Sequence, residues 1–304
     1  MQNDKINLYI NRYGYIFPSC KTYKESPIAK LDNSNVVADV KKHFSDVKTF
    51  NSITVELSSL CHASCIYCFQ RDGRYDKYKF FDELKDFLKS VESLRLFFSG
   101  GEILDQRDSM AFLSDLRSCL PDIHFHLKTN GDEDVKLAEF VESVFDSVVI
   151  SLNGFSDSSC KLIMGDNVDV DRTLKFARRL VEGCKTNVGI KYLISPATVC
   201  ELPQFFSWAL ELRPKCIILQ AVYLYKLLAN GKSEREKLAL YDYDNFYWTP
   251  IIERIRSQLS KSLEKYEVNV DVNHLAADCE TAQILQFDKQ LASRFRMDGI
   301  YDLE

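Results

Sequence analysis

Cys61, Cys65 and Cys68 stand in a C-x3-C-x2-C run directly after an apolar stretch. Cysteine thiolate is the usual protein ligand of cubane iron–sulfur clusters, and three of them hold three irons of a 4Fe–4S cluster while the fourth iron stays open to chemistry. Other uses of the run fit less well. A zinc knuckle needs a fourth Cys or His at suitable spacing, and His62 lies inside the run, where it is poorly placed to complete a tetrahedron. A disulfide framework needs export, and the start MQNDKINLYINRYG has no charged n-region followed by an apolar h-region. The expected location is therefore cytoplasmic.

Such a run has to be presented by a scaffold, and the middle of the chain supplies one. Short β-rich runs fall at Ile53–Leu57, Leu94–Phe98, Ile123–Lys128, Ser147–Leu152, Val188–Ile194 and Cys216–Tyr223. Between them apolar residues recur at helical spacing, as at Phe80, Leu84, Phe87, Leu88 and Val91, or Val170, Leu174, Ala177 and Val181. Asp169 is placed to cap the latter helix and Gly183 to end it. Six βα units in succession imply a parallel sheet, since each return to a parallel neighbour needs a crossover. They can close into a partial barrel or lie as an open sheet, and in both cases ligands bind at the carboxyl ends of the strands.

Chemistry-bearing residues gather at those ends. The three cysteines follow the first strand, Ser99, Gly100, Gly101 and Glu102 the second, and Thr129, Asn130 and Gly131 the third, while Ser151 and Asn153 close the fourth. Gly-Gly-Glu alone reads as a turn, and Asn-Gly is a common turn dipeptide. Their order at successive strand ends carries the signal.

In that order, from Ser52 to Val222, the chain resembles the radical S-adenosylmethionine (radical SAM) superfamily. It looks most like the branch holding the molybdenum-cofactor cyclase and the peptide maturases, without the cysteine-rich C-terminal extension of the latter. The resemblance implies a 4Fe–4S cluster on Cys61, Cys65 and Cys68, with S-adenosylmethionine (SAM) chelating the open iron. It also implies a partial (β/α)6 TIM-like barrel, spanning 51–225, with extensions at 1–50 and 226–304, the second of them expected to shape the substrate site. Gly100 and Gly101 would let backbone approach the SAM ammonium, and Glu102 would supply charge or shape the turn. Tyr67 offers a flat face to adenine, Ser151 and Asn153 reach the ribose, Thr129 the carboxylate, and Leu193 borders the adenine. Proline is usual in the family where Ile103 follows Gly-Gly-Glu. A flavodoxin- or ferredoxin-like donor would supply one electron, and cleavage of SAM would then start hydrogen abstraction from a substrate carbon.

The remaining residues narrow the substrate. The chain has 304 residues, 46% hydrophobic and 27% charged, with a net charge of −5. No apolar run approaches bilayer length, and no basic footprint for nucleic acid stands out, so a peptide or a small metabolite such as a nucleotide or sugar is expected. A non-catalytic cluster- or SAM-binding relative is the alternative of a different class. Asn7 to Phe17 reads as a hairpin turning near Arg12 to Gly14. Cys119, Cys184 and Cys216 read as buried small hydrophobes, whereas Cys160, Cys200 and Cys279 lie where they could reach the catalytic face. Cys279, in ADCET, is a candidate hydrogen-atom donor to a substrate radical. Near the C-terminus, EVNVDVN reads as a further strand.

Overall fold

The hairpin read from the N-terminus forms, and it does more than cover an edge. In the computed structural model, β1 (Asn7–Ile10) and β2 (Tyr15–Phe17) pair antiparallel around a turn in which Gly14 N–H donates to Asn11 O at 2.9 Å. On its other side β1 pairs parallel with β5 (Ser52–Glu56), Asn7 opposite Ser52 and Ile10 opposite Val55. The Asn7 Oδ1 accepts from Ser52 Oγ at 2.7 Å and Asn51 Nδ2 at 3.1 Å, which fixes that register. The structure describes residues 7–18, 26–44, 47–68, 78–195, 197–221 and 269–273.

Two units divide the chain. The first takes Met1–His62, Phe69–Thr129 and Glu139–Val148. Besides β1, β2 and β5 it holds β3 (Ala29–Lys30), α1 (Val36–His43) and β4 (Thr49–Phe50), then α2 (Phe81–Ser90), β6 (Glu92–Ser93), β7 (Arg95–Ser99), α3 (Arg107–Cys119), β8 (His124–Thr129) and nearly all of α4 (Ala138–Val144). Its main strands run β3-β2-β1-β5-β7-β8, with β5, β7 and β8 parallel and one residue later than the sequence reading at the carboxyl ends of β7 and β8. Alternate residues separate two faces. Leu96, Phe98, Phe125 and Leu127 are fully buried, Phe98 meeting Phe125 and Phe145 at ring-centroid distances of 5.2 and 6.2 Å. On the opposite face Phe97 lies 4.9 Å from His126, with Arg95, His124 and Lys128 on neighbouring positions of the same face.

The second unit takes Ala63–Cys68, Asn130–Ala138 and Val149–Glu304. It carries β9 (Ser147–Leu152) apart from its first two residues, α5 (Asp157–Met164), α6 (Val170–Gly183), β10 (Asn187–Ile194), α7 (Leu202–Leu212), β11 (Cys216–Ala221) and β12 (Asn269–Asn273). The strand order is β9-β10-β11-β12, with β10, β11 and β12 parallel, so the EVNVDVN segment adds a strand beyond the six of the sequence reading. Asp169 caps α6 as expected, accepting from Arg172 N–H. The helix ends one residue later than Gly183 suggests: Gly183 is its last residue and Cys184 takes the left-handed conformation, φ 55°. No helix among the described residues is long and apolar enough to cross a membrane.

Candidate active site

In the first unit the chain leaving β5 is laid against the Gly-Gly-Glu turn by backbone bonds. Gly101 N–H donates to Ser58 O at 2.6 Å and Glu102 N–H to Leu60 O at 2.7 Å. Gln106 Nε2 reaches the same Leu60 carbonyl at 3.3 Å, while His62 donates its N–H to Asp105 at 3.1 Å and sets its ring 2.8 Å from that carboxylate. Cys61 therefore sits between two neighbours tied to the β7–α3 connection. The closeness needs glycine. A Cβ on Gly101 would stand 2.0 Å from Leu60 O, and one on Gly100, whose φ is +144°, 2.5 Å from Ser58 O. Sequence reading assigned that bareness to a ligand; its nearest use is to let the cysteine segment lie on the turn. Glu102 is buried and its Oε1 accepts from Leu104 N–H at 3.2 Å, so it shapes the turn. Ile103 is buried without exposure, filling the place where proline was expected. Thr129, also buried, ends β8.

The second unit holds Cys65 by the same device. Ser64 N–H donates to Met164 O at 2.6 Å and Ile66 N–H to Ile163 O at 2.9 Å, so the residues on both sides of Cys65 occupy carbonyls that the last turn of α5 would otherwise leave open. Cys68 N–H closes the turn onto Cys65 O at 3.1 Å. Tyr67, between them, is half-buried, as are all three cysteines, none of them in a disulfide. Gly165 ends α5 at φ 89°, ψ 170°.

Strand ends of the second unit bring Ser151, Asn153 and Leu193 to the carboxyl side of adjacent β9 and β10. Ser151 is half-buried and Leu193 buried. Asn153 is 2% exposed and its Oδ1 has no hydrogen-bond partner. A buried amide oxygen without a donor is costly unless something supplies one. A ribose hydroxyl is a donor of the right kind, so this orphan fits SAM. Three half-buried thiols in the C-x3-C-x2-C run are likewise the donor set a 4Fe–4S cluster takes.

The other cysteines separate sharply. Cys216 is buried, but Cys119 is half-buried and Cys184 exposed, because Cys184 has become the cap of α6 and its side chain leaves the helix face. Cys160 is buried and donates to Gly154 O at 3.2 Å; burial, with Glu201 adding to it, pushes its thiol up to about 12. Burial thus favours its neutral thiol form. Cys200 is exposed. Cys279 and Cys20 lie outside the described residues.

Sequence reasoning passed over Gly165, which a search for glycine just after a helical run could have found. It also missed Glu201, whose partners Phe155, Ser156 and Ser159 stand more than forty residues away in sequence.

The sequence profile of the radical SAM superfamily matches residues 55–209. Among solved structures the chain is similar to Streptococcus suis SuiB bound to its precursor peptide SuiA, with TM-score 0.59 and 14% identity over 83% of this chain and 54% of that one. SuiB bound to S-adenosylmethionine gives 0.59 and 12% over 95% of this chain and 75% of that one. The structure of anSMEcpe with bound AdoMet gives 0.56 and 19% over 72% and 63%. The chain thus spans about half of the peptide-bound SuiB chain, and these likenesses show the fold, an α/β partial barrel with a parallel sheet. No curated protein matches by sequence.

Proposed function

This chain belongs to the radical SAM superfamily, its cofactors are a 4Fe–4S cluster and SAM, and we propose that it is an enzyme that uses them to abstract hydrogen from a carbon of a peptide. Bound together, the two groups supply reductive carbon–sulfur cleavage and a carbon radical able to take hydrogen from an unactivated position. Cys61, Cys65 and Cys68 hold the cluster. The observation that carries this is the anchoring of Leu60, His62, Ser64 and Ile66, which fixes the backbone on both sides of Cys61 and of Cys65.

The other residues bind and orient. Asn153 accepts from a ribose hydroxyl and Ser151 supports it, Leu193 and Tyr67 give apolar faces to the adenine, and Thr129 with the Gly100–Gly101 backbone receives the methionine end. Glu102 keeps that turn in shape. A flavodoxin- or ferredoxin-like protein supplies the electron, and residues 226–304 shape the substrate site. The choice of a peptide is supported by the branch resemblance and by a fold neighbour that was solved with its precursor peptide.

The test is anaerobic reconstitution with iron and sulfide, reduction, and chromatography for 5′-deoxyadenosine against Cys65→Ala. Product formed only with the intact run supports the enzyme. A cluster that forms while SAM is neither bound nor cleaved refutes it in favour of a non-catalytic relative. Peptide and metabolite substrates are then told apart by which one raises deoxyadenosine formation and loses hydrogen.

A further inference from the structure

The loop that follows β9 is gathered by one side chain from elsewhere in the second unit. Glu201 is buried, at the end of the short 3-10 turn Val199–Glu201 and the start of α7. Its Oε2 accepts from the backbone N–H of Phe155 and from Ser159 Oγ, each at 2.7 Å, and Tyr192 OH stands 3.4 Å away. Its Oε1 accepts from Ser156 Oγ. Ser156 and Ser159 are also the reciprocal cap of α5, so the loop and the helix start are fixed together. The same turn holds β10: Thr198 Oγ1 donates to Leu193 O at 2.7 Å, and Thr198 O accepts from Tyr192 OH at 3.0 Å.

Several groups of the loop are therefore tied down, and one buried side-chain atom is not. Phe155, Ser156 and Ser159 all have partners, and Cys160 Sγ takes the Gly154 carbonyl. Asn153 Oδ1 alone is left buried and unpartnered. We infer that Glu201 is a positioning residue for SAM: by collecting the Phe155 N–H and the Ser156 and Ser159 hydroxyls, it fixes the backbone from which Asn153 presents its amide to the ribose. The inference rests on the assignment of Asn153 to SAM.

The network asks for acceptors in two places. Glutamine can meet it, because its oxygen takes the Phe155 N–H and its amide donates to Ser156 Oγ, whose hydroxyl turns around. Alanine cannot, and it releases the Phe155 N–H and the Ser156 and Ser159 hydroxyls at once, while Tyr192 keeps the Thr198 carbonyl. Aspartate keeps the carboxyl but withdraws it by a methylene.

The experiment measures SAM affinity of the reconstituted holoprotein by equilibrium dialysis, with iron content as a parallel readout. Glu201→Ala is expected to weaken binding roughly tenfold or more at unchanged iron content, and Glu201→Gln to recover binding to within about threefold of the original. Asn153→Ala should weaken binding similarly, and Glu201→Ala in the Asn153→Ala background should add little. If Glu201→Ala does not fold, Glu201→Asp carries the test with the same expected loss. Original affinity in Glu201→Ala or Glu201→Asp, beside a loss in Asn153→Ala, overturns the inference and leaves the SAM assignment standing. Full additivity of the two changes also overturns it. Original affinity in Asn153→Ala removes the assignment itself, and the inference with it.

Discussion

Replacing Gly165 by alanine should loosen the cysteine run from a distance. Gly165 has φ 89° and ψ 170°, a region that only glycine occupies readily, and holding another residue there costs about 1–3 kcal/mol. Its added Cβ would also stand 2.0 Å from Ser64 Oγ, although 3.3 Å from Ser64 Cβ and 3.7 Å from Ser64 N. The collision thus falls on a hydroxyl that can rotate away, losing only a long contact of 3.4 Å to Met164 O. The backbone strain has no such escape. It is placed beside the Ser64 N–H to Met164 O bond that anchors one flank of Cys65. Gly165→Ala should therefore lower the denaturant midpoint by an amount equivalent to about 1–3 kcal/mol and reduce iron taken up on anaerobic reconstitution. Ser64→Ala alone should be nearly silent, and combined with Gly165→Ala it should restore part of the iron but little of the stability. A Gly165→Ala protein with the original midpoint and full iron would refute the link between the end of α5 and the cluster.

Two further outcomes follow from buried groups. His126 is fully buried on β8, its Nδ1 2.7 Å from Ser147 Oγ, and burial, with Lys128 and then His124 adding repulsion, holds its pKa well below the ordinary value. The unfolded chain takes up a proton there that the native state refuses, so stability is whole above about pH 6.5 and falls below it by up to about 1.4 kcal/mol per pH unit. His126→Gln should flatten that slope in denaturation curves taken on either side of this value, and an unchanged slope would count against it. Alkylation of the native apoprotein by iodoacetamide near about pH 8 should mark Cys184 and Cys200 and spare Cys160, as read by peptide mass spectrometry; rapid labelling of Cys160 would show that its burial is wrong.

Much of the scaffold could be read from the chain because its signals are local. Alternation of Ile53, Val55 and Leu57, or of Leu96 and Phe98, marks strands whose apolar face meets helices, and Asp169 announces α6 by capping it. The hairpin was legible from Gly14 between two β-rich runs. Cys61, Cys65 and Cys68 stand out in the sequence because all three fall within eight residues, a spacing suited to a shared metal cluster. What was not legible depends on partners far away. Glu201 reads as an ordinary acid before a helix until Phe155, Ser156 and Ser159 are brought to it. The packing of residues 58–60 against Gly100 and Gly101 was likewise not legible, because nothing in the sequence says that these segments will meet. Cys184 read as buried from its apolar character, and the one-residue extension of α6 through Gly183 turned it outward.

The parallel pairing of β1 with β5 bears on how the protein can be trimmed. The conserved profile begins at residue 55, inside β5, whose partner on that side is β1. A chain started there would lose three of the five residues of β5, Ser52 to Thr54, and bare a row of unpaired amide and carbonyl groups along β7. Uncovered strand edges recruit other chains. The native end of this sheet is instead β3, only two residues long and carrying Lys30, the kind of short, charged border that discourages edge-to-edge aggregation. The strands of the N-terminal hairpin, with β3 beyond them, thus complete the sheet edge that the family segment alone would leave open.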